Sequence, residues 1–228
     1  MRPFVFINVA MTADGKIAPS DRRFIPFGSK RDREHLLELR ATADAVMAGA
    51  RTVDMFPVNM GAGGAKYRRL RARRGLAEEN LRVIVSGRGT IDPKAKIFQR
   101  RELGPIIVLT TERAGARQLR RLSELVDEAK ICGEDAVDFG AALKWLRKEW
   151  GVKRLLCEGG GELNAALFAA GVVDELHLTI NPRFFGGRDA PTLADGAGVE
   201  HLADATRLKL KSVKESDGEV FLVYQVKG

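Results

Sequence analysis

Apolar positions in this chain bunch into short runs rich in β-branched residues, separated by stretches with helical spacing. The runs are 3-PFVFINVA-10, 44-DAVMAG-49, 81-LRVIVS-86, 105-PIIVLTT-111, 153-KRLLC-157 and 173-VDELHLTI-180, then 207-RLKLKSVKE-215 and 219-EVFLVYQV-226. Helical spacing covers 29–42, 65–74, 112–127, 138–149 and 162–170. Strands that alternate with helices predict an α/β fold with a mostly parallel central sheet and crossover helices. No helix separates the last two runs. Their link, 216-SDG-218, is a tight-turn sequence and predicts a C-terminal antiparallel hairpin. No repeat, linker or break in composition divides the chain, which reads as one domain over 1–228.

The first helix has a legible start. Ser29 followed by Asp32 is a variant of the capping box, a hydroxyl cap with an acid three residues on. Leu36 and Leu39 then share one face, which leaves His35 beside that face, as a surface residue. Neither His177 nor His201 has a sequence neighbour that suggests a triad or a metal site.

Composition narrows the classes. Of 228 residues, 45% are apolar and 30% charged, as in an ordinary soluble globular protein. No apolar run approaches the roughly 18 residues of a membrane span, and the start lacks a signal-peptide layout. A cytoplasmic protein with no membrane partner is expected. Cys132 and Cys157 form neither a disulfide framework nor a metal-ligand spacing, so no metal is expected, and Cys157 reads as a small buried residue. The net charge of +8 fits an anionic ligand or a plain solvated surface. Its densest run, 67-YRRLRARRG-75, reads as an exposed helical face, with a phosphate-facing patch as the alternative. Nucleic acid is not expected as a partner, because no aromatics for base stacking interleave with the charge.

The candidate chemistry collects at strand ends. In 157-CEGGGELN-164 three glycines lie between a strand and a helix, where each would cost roughly 0.5–1 kcal/mol relative to alanine inside a regular element. A plain tight turn explains them. So does an anion site, since the first amides of a helix lack partners and carry the positive end of its dipole. The GxGxxG fingerprint is absent. The segments 10-AMTADGKIA-18, 38-ELRATADAVMAGARTV-53 and 184-FFGGRDAPTLADG-196 also follow or flank strands. Thr52, Ser86, Glu158 and the glycines therefore sit where ligands gather in open α/β sheets.

These blocks, in this order from about residue 3 to 200, resemble the riboflavin-biosynthesis reductases. That family comprises the free-standing archaeal-type enzyme and the reductase half of the bacterial deaminase/reductase. The deaminase signature is missing. The resemblance implies a three-layer, dihydrofolate-reductase-like fold with helices on both faces of the sheet. It also implies NADPH as cofactor, a homodimer, and reduction of the ribosylamino group of a pyrimidine 5′-phosphate, a small phosphorylated substrate, to ribitylamino. Matched motif by motif, the cofactor contacts fall on Ala10, Thr52, Ser86, Gly159, Gly160, Gly161, Glu162, Leu163 and Asn164, with the segment running on to Ala166. Substrate contacts fall on Arg40 and Glu158. Asp14 and Lys16 belong to the shared D-G-K turn and join Glu158 as candidates for the catalytic proton.

The chain departs from the family pattern at 54-DMFPVNMGAGGAKYRRLRARRG-75, where paired acids give way to Met55 and Phe56 and a Gly-rich basic stretch follows. That departure keeps a second reading open, the same fold and cofactor acting on another carbonyl, imine or pteridine-like compound. A non-catalytic nucleotide- or nucleic-acid-binding module is the third.

Overall fold

The computed structural model describes residues 1–23 and 25–227. Nine strands hydrogen-bond in the order β5-β4-β3-β2-β6-β1-β7-β9-β8. They are β1 Phe4–Thr12, β2 Ala45–Gly49, β3 Leu81–Val85, β4 Ile106–Thr110, β5 Glu128–Ile131, β6 Arg154–Cys157, β7 Glu175–Asn181, β8 Leu208–Ser216 and β9 Glu219–Val226. The helices are α1 Lys30–Arg40, α2 Ala50–Met55, α3 Ala65–Arg73, α4 Gly115–Leu125, α5 Phe139–Glu149 and α6 Gly161–Ala169. The chain folds into two compact units, Met1–Phe4 with Leu37–Leu156, and Val5–Leu36 with Cys157–Gly228.

In the first unit β2, β3, β4 and β5 pair in parallel. Val46, Met47, Val83, Ile84, Ile107, Val108 and Leu109 are fully buried. Parallel strands covered on both faces read as unbroken apolar runs, which is why these were legible. Each such side chain contributes about 1.5–3 kcal/mol. Two elements differ from the expectation. Residues 50–55, to which the periodicity assigned no element, form the short helix α2. The helix expected over 112–127 is a 3-10 turn at Glu112–Ala114 followed by α4, and then β5, an edge strand the periodicity did not show.

The basic run also differs. Arg71 is completely buried rather than part of an exposed face. Its guanidinium donates to the carbonyls of Arg40 (2.8 Å), Ala43 (2.6 Å), Ala77 (2.7 Å) and Glu79 (3.2 Å). Arg82, the second residue of β3, is equally buried and donates to the carbonyls of Gly104 and Ile97. Burial lowers its pKa to about 10. Arginine presents five donors in a fixed fork, so it can gather several loop carbonyls at once.

In the second unit β1 and β7 are parallel, while β9 runs antiparallel to both β7 and β8. The hairpin turns at Asp217 and Gly218, both with positive φ (55° and 78°), as a two-residue hairpin loop requires. The exposed edge strand β8 carries Lys209, Lys211 and Lys214, charges that discourage further strand pairing. Ser29 caps α1, its Oγ accepting from the Asp32 amide at 3.0 Å. His35 is half-buried, not a surface residue. Its ring packs against His177 at 5.7 Å and Phe221 at 5.5 Å. Among the described residues no helix is long and apolar enough to cross a membrane.

Candidate active site

Most of the predicted site residues fall in the second unit, around the end of β6. Cys157 closes that strand fully buried, and burial pushes its thiol up to about 12. Glu158 follows, half-buried. Gly159 and Gly160 then take φ of 89° and 94°, conformations that side chains rarely adopt. Gly160 is the N-cap of α6. Gly161 is glycine for a different reason. A Cβ there would stand 2.6 Å from the Thr192 carbonyl oxygen, inside any tolerable contact. Two glycines thus turn the chain and the third admits a neighbouring segment.

That segment is 184–196, and it fastens to two predicted motifs. The Asp195 amide donates to the Gly161 carbonyl (3.0 Å), and the carboxylate of Asp195 accepts from the Thr192 amide (3.0 Å) and hydroxyl (2.6 Å). Asn164, fully buried, donates from Nδ2 to the Leu193 carbonyl at 2.8 Å. At its other end the segment meets the D-G-K turn. Lys16 bridges Thr192 in antiparallel register, the Ile17 amide donates to the Pro191 carbonyl, and Lys16 Nζ donates to the Ala190 carbonyl at 3.2 Å.

Asp14 is held as an anion. Its carboxylate accepts from the Thr12 hydroxyl (2.5 Å), the Gly186 amide (2.7 Å) and the Phe185 amide (3.1 Å). The Thr12 hydrogen bond leads the causes that lower its pKa. A carboxylate so engaged anchors the loop and is poorly suited to giving up a proton at neutral pH. Glu162 is exposed on α6, while Leu163 is buried and offers a ligand only its backbone. Ala10, half-buried, lies opposite Thr179 in the β1–β7 register.

Three predicted residues belong to the first unit. Arg40 is buried and donates from Nη1 to the Gly61 carbonyl at 2.7 Å. Thr52 sits in α2, its carbonyl accepting the amide of Phe56. Ser86, just past β3, donates its hydroxyl to the Thr90 carbonyl at 3.0 Å.

Pattern reading singled out segment 184–196 but not Thr192 and Asp195 as its fastening points, and it took Asp32 only as a cap. For the first two no signal was available, because the contact is set by tertiary approach.

The turn suits a phosphate-bearing cofactor on the chemistry present: two glycines in left-handed conformation, a third with no side chain, and the opening amides of α6. The carboxylates of Glu158 and Asp195 nearby limit where an anion can lie.

Known proteins resemble this chain over most of its length. The chain is 35% identical over 196 residues to the 2,5-diamino-6-ribosylamino-4(3H)-pyrimidinone 5′-phosphate reductase of Archaeoglobus fulgidus, covering 86% of this chain and 88% of that one. Its fold is similar to a pyrimidine reductase-like protein from Corynebacterium diphtheriae (TM-score 0.83, 23% identity, 99% and 92% covered). It is also similar, more distantly, to dihydrofolate reductase from Enterococcus faecalis (TM-score 0.52, 12% identity, 99% and 97% covered). The fold is accordingly dihydrofolate-reductase-like. The archaeal relative is named a reductase, so the chain's reaction class is that of an oxidoreductase. Residues 3–222 match the RibD C-terminal domain, and with that match and the archaeal likeness the chain belongs to the RibD C-terminal domain family.

Proposed function

We propose that the chain reduces the ribosylamino group of 2,5-diamino-6-ribosylamino-4(3H)-pyrimidinone 5′-phosphate to ribitylamino with NADPH, as a cytoplasmic homodimer. The supporting observation is the segment 184–196, which fastens the D-G-K turn and the glycine turn into one structure. A reductase needs a cofactor cradle and a proton-bearing group held in fixed relation.

Bound at the glycine turn, the cofactor supplies hydride; the chain supplies position and the proton. Opening of the ribose ring leaves a C=N bond whose carbon accepts the hydride and whose nitrogen accepts a proton. Lys16 fits the second task better than Asp14. One of its three N–H donors goes to the Ala190 carbonyl, which points the ammonium while leaving donors for substrate. Glu158 at the strand end would contact the ligand, and the opening amides of α6 would hold the cofactor phosphates. Arg40, Thr52 and Ser86 are proposed contacts by resemblance and carry no step.

The test is direct. Purified protein mixed with NADPH and the pyrimidinone phosphate loses nicotinamide absorbance in proportion to ribitylamino product, and Lys16→Ala lowers kcat about 10²–10⁴-fold. No oxidation above background by the wild type removes the proposal. Sedimentation at micromolar concentration reads the dimer.

A further inference from the structure

The link between the glycine turn and the D-G-K turn runs through one short loop, residues 192–195. The Asp195 carboxylate closes that loop, its Oδ1 accepting from the Thr192 amide (3.0 Å) and hydroxyl (2.6 Å). Asp195 also grips the start of α6. Its amide donates to the Gly161 carbonyl at 3.0 Å, and its Oδ2 lies over the face of Gly161 that a side chain would fill. The Leu193 carbonyl, between the two, is taken by the buried Asn164.

Thr192 is the other half of the link. Its bridge partner is Lys16. The adjoining Pro191 carbonyl accepts the Ile17 amide at 2.9 Å, and the Ala190 carbonyl accepts from Lys16 Nζ. The Lys16 backbone is also tied to Thr12, whose amide donates to the Lys16 carbonyl (2.9 Å) and whose hydroxyl accepts the Lys16 amide (3.1 Å). Lys16 is thus held between the end of β1 and the loop. Where its ammonium stands depends on where residues 190–192 stand.

Packing alone does not fix that loop. Thr192, Leu193 and Asp195 are half-buried, and Ala194 and Gly196 are exposed. A segment with so little apolar burial opens easily unless its hydrogen bonds hold it. The Asp195 carboxylate takes two of them and is joined by its own amide to the glycine turn. Resting on the reductase reading above, we infer that Asp195 is a positioning residue, which fixes Lys16 relative to the glycine turn and so keeps proton donor and cofactor in register. It acts through Thr192 on one side and Gly161 on the other, and not on the substrate.

The experiment is a double-substitution cycle read in kcat, which isolates coupling between two residues. Asp195→Ala, with folding confirmed by circular dichroism, lowers kcat about tenfold or more, since a misplacement of about 1 Å can cost about 10²-fold. It also raises KM for NADPH. In a Lys16→Ala background the same substitution no longer lowers kcat but still raises KM for NADPH. A general loosening of the fold would instead lower kcat in both backgrounds. Asp195→Asn keeps an acceptor for the Thr192 amide and hydroxyl and restores most of kcat. Should Asp195→Ala not fold, Thr192→Val, which removes the hydroxyl and keeps the amide, shows the same dependence on Lys16 with a smaller loss. A kcat loss of equal size with and without Lys16, or no loss in either, overturns the assignment while the reductase reading stands. A wild type that oxidises no NADPH overturns the two together.

Discussion

The buried charges of the two units are satisfied by different kinds of partner. In the first, Arg71 and Arg82 lie fully inside the protein, and backbone carbonyls take up their guanidinium donors. In the second, the buried Glu219 carboxylate takes up the Ser29 amide and hydroxyl and the Asn181 side-chain amide. A buried charge that serves the fold is expected to be matched, since an unmatched one only subtracts from stability. Buried charge in both units therefore holds neighbouring segments together, Arg71 and Arg82 through carbonyls in the first, Glu219 through Ser29 and Asn181 in the second.

Four substitutions break or sharpen that contrast, taken from the largest effect down. Arg71→Met strands the carbonyls of Arg40, Ala43, Ala77 and Glu79, and urea unfolding should show a loss of about 3–5 kcal/mol. Gly161→Ala drives a methyl into the Thr192 carbonyl. It should cost about 1–3 kcal/mol and raise KM for NADPH, because the turn must shift to make room. Asp32→Asn should leave stability at neutral pH unchanged or raised by up to about 1 kcal/mol, unlike the arginine substitution. Glu102→Gln, at an exposed pair with Arg100, should move stability by less than about 0.5 kcal/mol.

Asp32 also predicts a pH slope. Its pKa is raised in the folded chain, so the native state binds the proton more tightly than the unfolded state. Between the ordinary aspartate value and the raised one, stability falls as pH rises. Urea titrations across that window should show a shallower decline for Asp32→Asn than for the wild type, and equal slopes would count against the burial of this carboxyl.

How much of this was legible in the sequence follows from the same physics. The runs of β2, β3 and β4 announced themselves because parallel strands buried on both faces need unbroken apolar stretches. The hairpin announced itself through Asp217-Gly218. Strand β5, EAKI, was hidden because a four-residue edge strand needs little apolar surface, and α2 because six residues carry no period. Arg71 was misplaced because charge in a helix normally means solvent, and only tertiary carbonyls override that. At the site, the glycine turn was visible as a composition anomaly. The pairing of Asp195 with Gly161 and the isolation of Asp32 from its cap were not. Both depend on residues more than 30 positions away, Glu219 in the second case.

The central claim is hydride transfer to the ribosyl carbon of a pyrimidine phosphate. NADPH carrying deuterium at the transferable position of C4, incubated with the protein and the 2,5-diamino-6-ribosylamino-pyrimidinone 5′-phosphate, tests it most directly. The account predicts one deuterium at C1′ of the ribityl chain, seen by mass spectrometry and NMR. Ribitylamino product without that label, or no product at all, would contradict it.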